Sequence, residues 1–231
     1  MALKLRIFET DPDAEPKPRS RPDIVGRFRA GRREGRSAVT LDTWRVTTGE
    51  REVADKIADL YGGTPEEWET DKEDFLEVLT DADKVDVIIG HADDIESDMK
   101  LYSATGALIH HCDGVCSLLD DDRGEPCGCP PLLYDRKALA REGRGPKPDS
   151  RVRFKLAEAP ELGTFQMRSS SWDFAKVLHF YQNDVEDQGG PALATMGLET
   201  VSFTAKSGPR KGRTVSYKRP FLKVQGPAPV E

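Results

Sequence analysis

No run of about eighteen apolar residues occurs in the sequence, so hydropathy offers no membrane-spanning helix. The opening residues Met1-Ala2-Leu3-Lys4-Leu5-Arg6 carry charges at every other position and lack the apolar core of a secretory leader. A soluble, cytoplasmic protein is therefore expected. No phosphate loop, nucleophile elbow or paired-histidine zinc-protease motif is found. Histidine is scarce, limited to His91, His110, His111 and His179, and no nucleophile, base and orienting group can be assembled. No catalytic residue is expected, and an enzyme is not expected. An overall basic excess is missing too. The net charge is −7, which disfavours indiscriminate binding to nucleic acid, because phosphates must be neutralised by a basic surface. Internal repeats are also absent.

What is present is a 231-residue chain, 37% apolar before its 20 glycines are counted and 32% charged, with 16 prolines. That composition implies a folded core with long solvated excursions and excludes a disordered chain. Charge is spread unevenly. Arg27, Arg29, Arg32, Arg33 and Arg36 crowd one basic stretch, Arg210, Lys211 and Arg213 another, and residues 66–98 are acidic. The first stretch, Gly26 to Gly35, reads as a solvated arm or hairpin tip or as a surface for DNA or an acidic partner, and the second as a solvated loop or a partner surface. Asp93-Asp94 and Asp120-Asp121-Asp122 read as solvated surface, and His179 as a core or boundary residue.

All four cysteines fall within eighteen residues, as Cys112-x3-Cys116 and, ten residues on, Cys127-x-Cys129. Two thiolate pairs brought together by short loops can complete the tetrahedron of a structural Zn2+ site. Pro126, Gly128 and Pro130 favour a tight bend around the second pair. The alternatives are two disulfides, disfavoured in a reducing compartment, or unconnected buried thiols, disfavoured by the clustering. The expected ligands are Cys112, Cys116, Cys127 and Cys129. His110 and His111 could replace a ligand, support one, or simply lie at the surface.

Alternating residues predict strands over 3–8 and 41–48, the latter with Trp44 and Val46 on one face. Thr47 and Glu50 have capping-box spacing, and Val53, Ile57 and Tyr61 predict a helix stopped by Gly62-Gly63. Prolines at 12, 16, 18 and 22 predict a loop over 11–22. Further strands are predicted at 75–79 and 85–89, as a hairpin or consecutive sheet strands, and at 151–157, 163–168, 198–205 and 215–224. A short helix is expected over 137–142 and a long one, capped by Ser171, over 172–187. The architecture expected is α+β, with mixed or antiparallel sheets, two main helices and a zinc loop inserted between them. Three parts are delimited: an N-terminal α+β part over 1–105, a zinc loop and linker over 106–149, and a C-terminal strand–helix–strand part over 150–231. The alternative is one compact domain overall.

The segments Val25-Gly26-Arg27-Phe28-Arg29, Leu41 to Thr47, Ile57 to Gly63, Trp68, Phe75 to Thr80, Cys112-Asp113-Gly114, Pro126 to Pro130, Leu162 to Ser169 and Lys218 to Phe221 resemble the recombination directionality factor-like family. The match runs through nearly the whole chain and is most specific at Tyr61-Gly62-Gly63 and the cysteines. The chain looks most like the excision factors of temperate actinomycete phages. It departs from the wider pattern in the acidic extension Asp120-Asp121-Asp122. The resemblance implies a phage-encoded protein of the bacterial host cytoplasm that binds a large serine integrase at its C-terminal, coiled-coil region. Binding would switch that integrase from integration to prophage excision, with no small-molecule substrate and with DNA touched only through the integrase. A zinc-containing nucleic-acid-binding accessory of phage replication is the alternative.

Overall fold

The computed structural model describes residues 23–34, 37–70, 74–204 and 211–229. The strand expected over 3–8 and the loop over 11–22 lie outside these residues. The fold is α+β and mostly sheet. One 11-stranded sheet runs in the order β11-β10-β5-β8-β9-β1-β2-β4-β3, with β6 and β7 branching from β8. The strands are β1 (Ile24–Glu34), β2 (Ser37–Thr48), β3 (Pro65–Glu67), β4 (Leu76–Leu79), β5 (Lys84–Ile89), β6 (Ile95–Tyr102), β7 (Leu108–Cys112), β8 (Lys147–Leu156), β9 (Thr164–Ser169), β10 (Ala192–Thr204) and β11 (Thr214–Pro227). The helices are α1 (Arg51–Tyr61), α2 (Leu133–Arg141), α3 (Trp172–Ala175) and α4 (Leu178–Glu186).

The period-2 reading of 41–48 holds: Trp44 and Val46 are fully buried on one face of β2, while Arg45 and Thr47 occupy the other. Phe28 on β1 meets Trp44, Phe154 and Phe165 edge-to-face at 5.9, 5.4 and 5.6 Å between ring centroids. Each such buried ring contributes roughly 2–3 kcal/mol by leaving water. The sheet curls so that β10 and β11 come against β1 and β2, a closure fastened by Lys218 Nζ to Asp42 at 3.3 Å.

β8 is the junction. Its first half pairs with β6 and its last residues with β5, on the same edge, while β9 takes the other edge. Its alternate residues Asp149, Arg151 and Arg153 leave the core and join an ion-pair network. Lys100 and Arg168 donate to Asp149 at 2.8 and 2.6 Å, Arg151 pairs with Asp98, and Arg153 reaches Glu96 at 3.0 Å.

Several sequence expectations are corrected. β4 and β5 are not paired: β4 joins β2 and β3, whereas β5 joins β10 and β8. Thr47 makes no capping box with Glu50. Instead Thr48 Oγ1 accepts from Glu50 N at 3.1 Å and donates to Val25 O at 2.6 Å. Ser171 does cap, accepting from Phe174 N at 3.2 Å, but the helix breaks at Lys176–Val177 into α3 and α4. There Val177 N bonds back three residues to Phe174 O at 3.1 Å, the tighter turn of a helix end.

Candidate metal centre

β7 and the bend that follows it deliver two donor pairs by the same device. In an extended chain residues i and i+2 share a face. His110 and Cys112 therefore point one way from β7, while His111 points the other and meets Asp98 Oδ2 at 3.1 Å. The second pair, Cys127 and Cys129, flanks Gly128, whose φ of 69° is the left-handed conformation that favours glycine. His110 Nε2, Cys112 Sγ, Cys127 Sγ and Cys129 Sγ all lie within 4.8 Å of one another. Cys112 Sγ is 3.8 Å from Cys129 Sγ, and Cys129 Sγ is 3.3 Å from His110 Nε2.

These separations can be compared with a tetrahedron. Zinc bond lengths of about 2.3 Å to sulfur and about 2.0 Å to nitrogen give edges of about 3.8 Å between sulfurs and about 3.5 Å between sulfur and nitrogen. The donor set fits a metal ion.

Cys116, the fourth expected cysteine, is not among the convergent atoms. Asp113 Oδ1 accepts from Val115 N and Cys116 N at 2.8 and 2.7 Å, closing a tight turn, and the residues flanking Cys116 bridge to those flanking Pro126, Ser117 N donating to Glu125 O at 2.8 Å and Cys127 N to Val115 O at 2.9 Å.

Arg136 on α2 ties the same segments together. Its Nε donates to Pro130 O at 2.5 Å and a terminal nitrogen donates to Gly114 O at 2.8 Å. Burial pushes the Cys112 thiol up to about 12, with Cys129 and Cys127 adding to the effect and the Gly114 backbone N–H opposing it. Burial likewise raises Cys129, with Cys127 adding, against a hydrogen bond from Cys112 and the charge of Arg136. For Cys127 burial also works upward. There the Cys129 N–H, hydrogen bonds from both neighbouring thiols and Arg136 prevail, leaving it lowered. Burial lowers His110, helped by His111 and opposed by Asp122, so its ring is held neutral, the state in which imidazole can ligate. A dication among these groups would favour the thiolates that burial alone disfavours.

The other sequence candidates have structural partners or lie at the surface. Arg27 pairs with Asp74 and Arg29 Nε donates to Thr47 Oγ1 at 3.0 Å, so of the two readings of this basic stretch the hairpin holds and the free arm does not: β1 and β2 pair antiparallel as far as Glu34 and Ser37. Arg219 pairs with Glu199, Arg213 is exposed, and Arg210 lies outside the described residues. Asp94 accepts from His91 N at 3.1 Å, and Asp122 accepts from Ser117 Oγ at 2.6 Å. His179, expected near the core, is exposed beside Phe180. Sequence reasoning missed Arg136 altogether and left His110 unresolved. An H-x-C alternation continuing a strand was the available signal for His110.

A curled α+β sheet carrying a cysteine–histidine cluster on an inserted loop defines a protein with a potential metal centre. The chain belongs to the recombination directionality factor-like family, described as Gp3-like, whose model matches residues 25–224 and so covers both the sheet and the cluster. No solved structure matches it. Among the described residues no helix is long and apolar enough to cross a membrane.

Proposed function

We propose that this chain is a recombination directionality factor that binds a large serine integrase and switches it from integration (attP × attB) to prophage excision (attL × attR). The observation that carries this reading is the family match across residues 25–224. The regulator performs no bond chemistry. It binds one arrangement of the integrase C-terminal, coiled-coil region more tightly than the other and so shifts the population toward the excisive synapse. To move that equilibrium from about 1:99 to 99:1, the two affinities must differ by roughly 10⁴-fold. A net charge of −7 suits a partner of a basic, DNA-bound protein.

Zn2+ is the proposed ion for the centre, held by Cys112, Cys127, Cys129 and His110. Three thiolates and one imidazole make a closed structural set in which the chain supplies every donor. When bound, the ion supplies folding free energy to an irregular segment, on the order of 10 kcal/mol. The protein is placed in the bacterial host cytoplasm, where such thiols remain reduced.

The exposed Lys211 and Arg213 leading into β11 favour a second reading, a nucleic-acid-binding accessory of phage replication. A gel shift at several salt concentrations separates the two. The directionality reading expects little binding to attachment-site DNA alone and a supershift once integrase is present. Strong binding without integrase, falling steeply with salt, would favour the accessory reading.

A further inference from the structure

Among the exposed large apolar side chains of the described residues, the three most exposed belong to the metal-bearing segment: Val115 at 73%, Leu132 at 64% and Tyr134 at 78%. Single exposed apolar residues need no explanation, but these three lie on the two segments that the Arg136 side chain joins. Arg136 donates to Gly114 O, beside Val115, and to Pro130 O, just before Leu132, while its backbone N–H bonds to Leu132 O at 3.1 Å. Tyr134 follows on the first turn of α2.

Folding does not account for Leu132. It occupies the N-cap of α2, where Ser, Thr, Asp or Asn would satisfy a free backbone N–H, and it makes no capping hydrogen bond. At its exposure it also gains little from burial.

The surroundings select a partner. Residues 112–136 carry six carboxylates, Asp113, Asp120, Asp121, Asp122, Glu125 and Asp135, against two arginines. Arg123 is paired with Asp120 at 2.7 Å, and Arg136 is committed to carbonyls. Nucleic acid and an anionic membrane would be repelled by this charge, and a second copy of the chain would bring the same acidic segment. A protein surface whose apolar residues are flanked by lysine and arginine complements it in both respects.

The geometry points to the exposed Val115, Leu132 and Tyr134 of this acidic, Arg136-tied segment as the surface that docks on a basic, apolar-striped segment of the recombinase partner. This rests on the reading above that the partner is an integrase. Pinning this surface to the Cys–His cluster and Arg136 orders it before binding, which reduces the entropy lost on association.

The test is calorimetric titration of integrase with the full chain at two salt concentrations, alongside metal content and circular dichroism. Three forms are compared: wild type, Val115→Asp/Leu132→Asp, and Glu125→Lys/Asp135→Lys. Leu132→Asp introduces a preferred N-cap, so α2 is not weakened. The apolar double variant is expected to keep its metal and bind roughly tenfold or more weakly. The charge variant is expected to bind more weakly and with less salt dependence. If the double variant loses metal, Tyr134→Ser alone takes its place, with a weaker affinity again expected. Wild-type binding with unchanged affinity in the apolar variants overturns the docking surface and leaves the integrase reading standing. Failure of wild type to bind integrase overturns both.

Discussion

His110 Nε2 lies 3.3 Å from Cys129 Sγ across a separation of 19 residues. That contact puts a histidine among the four convergent donor atoms, and Cys116 is not one of them. Purified protein is expected to hold one zinc per chain, and His110→Ala, Cys112→Ser, Cys127→Ser and Cys129→Ser are each expected to lose most of it. Cys116→Ser should retain it. Metal analysis after dialysis against a weak chelator makes the check, and zinc loss in Cys116→Ser with retention in His110→Ala would restore the four-cysteine set.

Arg136 should behave as a support for the centre. Its fork holds Gly114 O and Pro130 O together, and its charge lies close to Cys127 and Cys129. Groups that orient ligands in this way typically matter by about 10- to 100-fold in metal affinity. Arg136→Gln is expected to fall in that range in a chelator competition while its circular dichroism stays that of wild type. Unchanged affinity would remove Arg136 from the account.

Asp149 provides a pH-dependent contribution. Burial works to raise its carboxyl, but hydrogen bonds from Lys100 and Arg168 prevail and hold it below the ordinary carboxylate range. A lowered value in the folded state gives stability that is complete above the ordinary range and lost as pH falls through the lowered value. Asp149→Asn, which removes hydrogen bonds from charged groups, should cost roughly 1.5–3 kcal/mol near neutrality and flatten the acid limb of a stability-versus-pH curve. Parallel acid limbs for the two proteins would contradict this.

The core makes a simpler demand. Phe28 is 1% exposed and contacts three other aromatic rings, so Phe28→Ala should lower unfolding free energy by about 3–5 kcal/mol in a denaturant titration. A change below about 1 kcal/mol would mean that the ring is not at the centre of the packing.

Local pattern made much of this legible in the sequence. The faces of β2, the helix through Val53, Ile57 and Tyr61, and the Ser171 cap all depend on near neighbours. Pairing between strands depends on distant residues, which explains why 75–79 and 85–89 could be read either as a hairpin or as consecutive sheet strands, and why only the structure shows each joining a different part of the sheet. β6 went unread even though Ile95, Ser97, Met99 and Leu101 alternate with Glu96, Asp98 and Lys100. At the centre, cysteine spacing located the loop and three of the four convergent donors. It could not show that Asp113 engages the Cys116 backbone, or that β7 turns His110 onto the face of Cys112.

The most direct measurement is in vitro recombination by the cognate serine integrase on attL × attR and, separately, attP × attB substrates, with and without this protein at stoichiometric excess. The expected result is that the protein switches on the attL × attR reaction and suppresses the attP × attB one, and that the metal-free His110→Ala form does neither. Unchanged rates on both substrate pairs with fully metallated wild-type protein would contradict the proposed function.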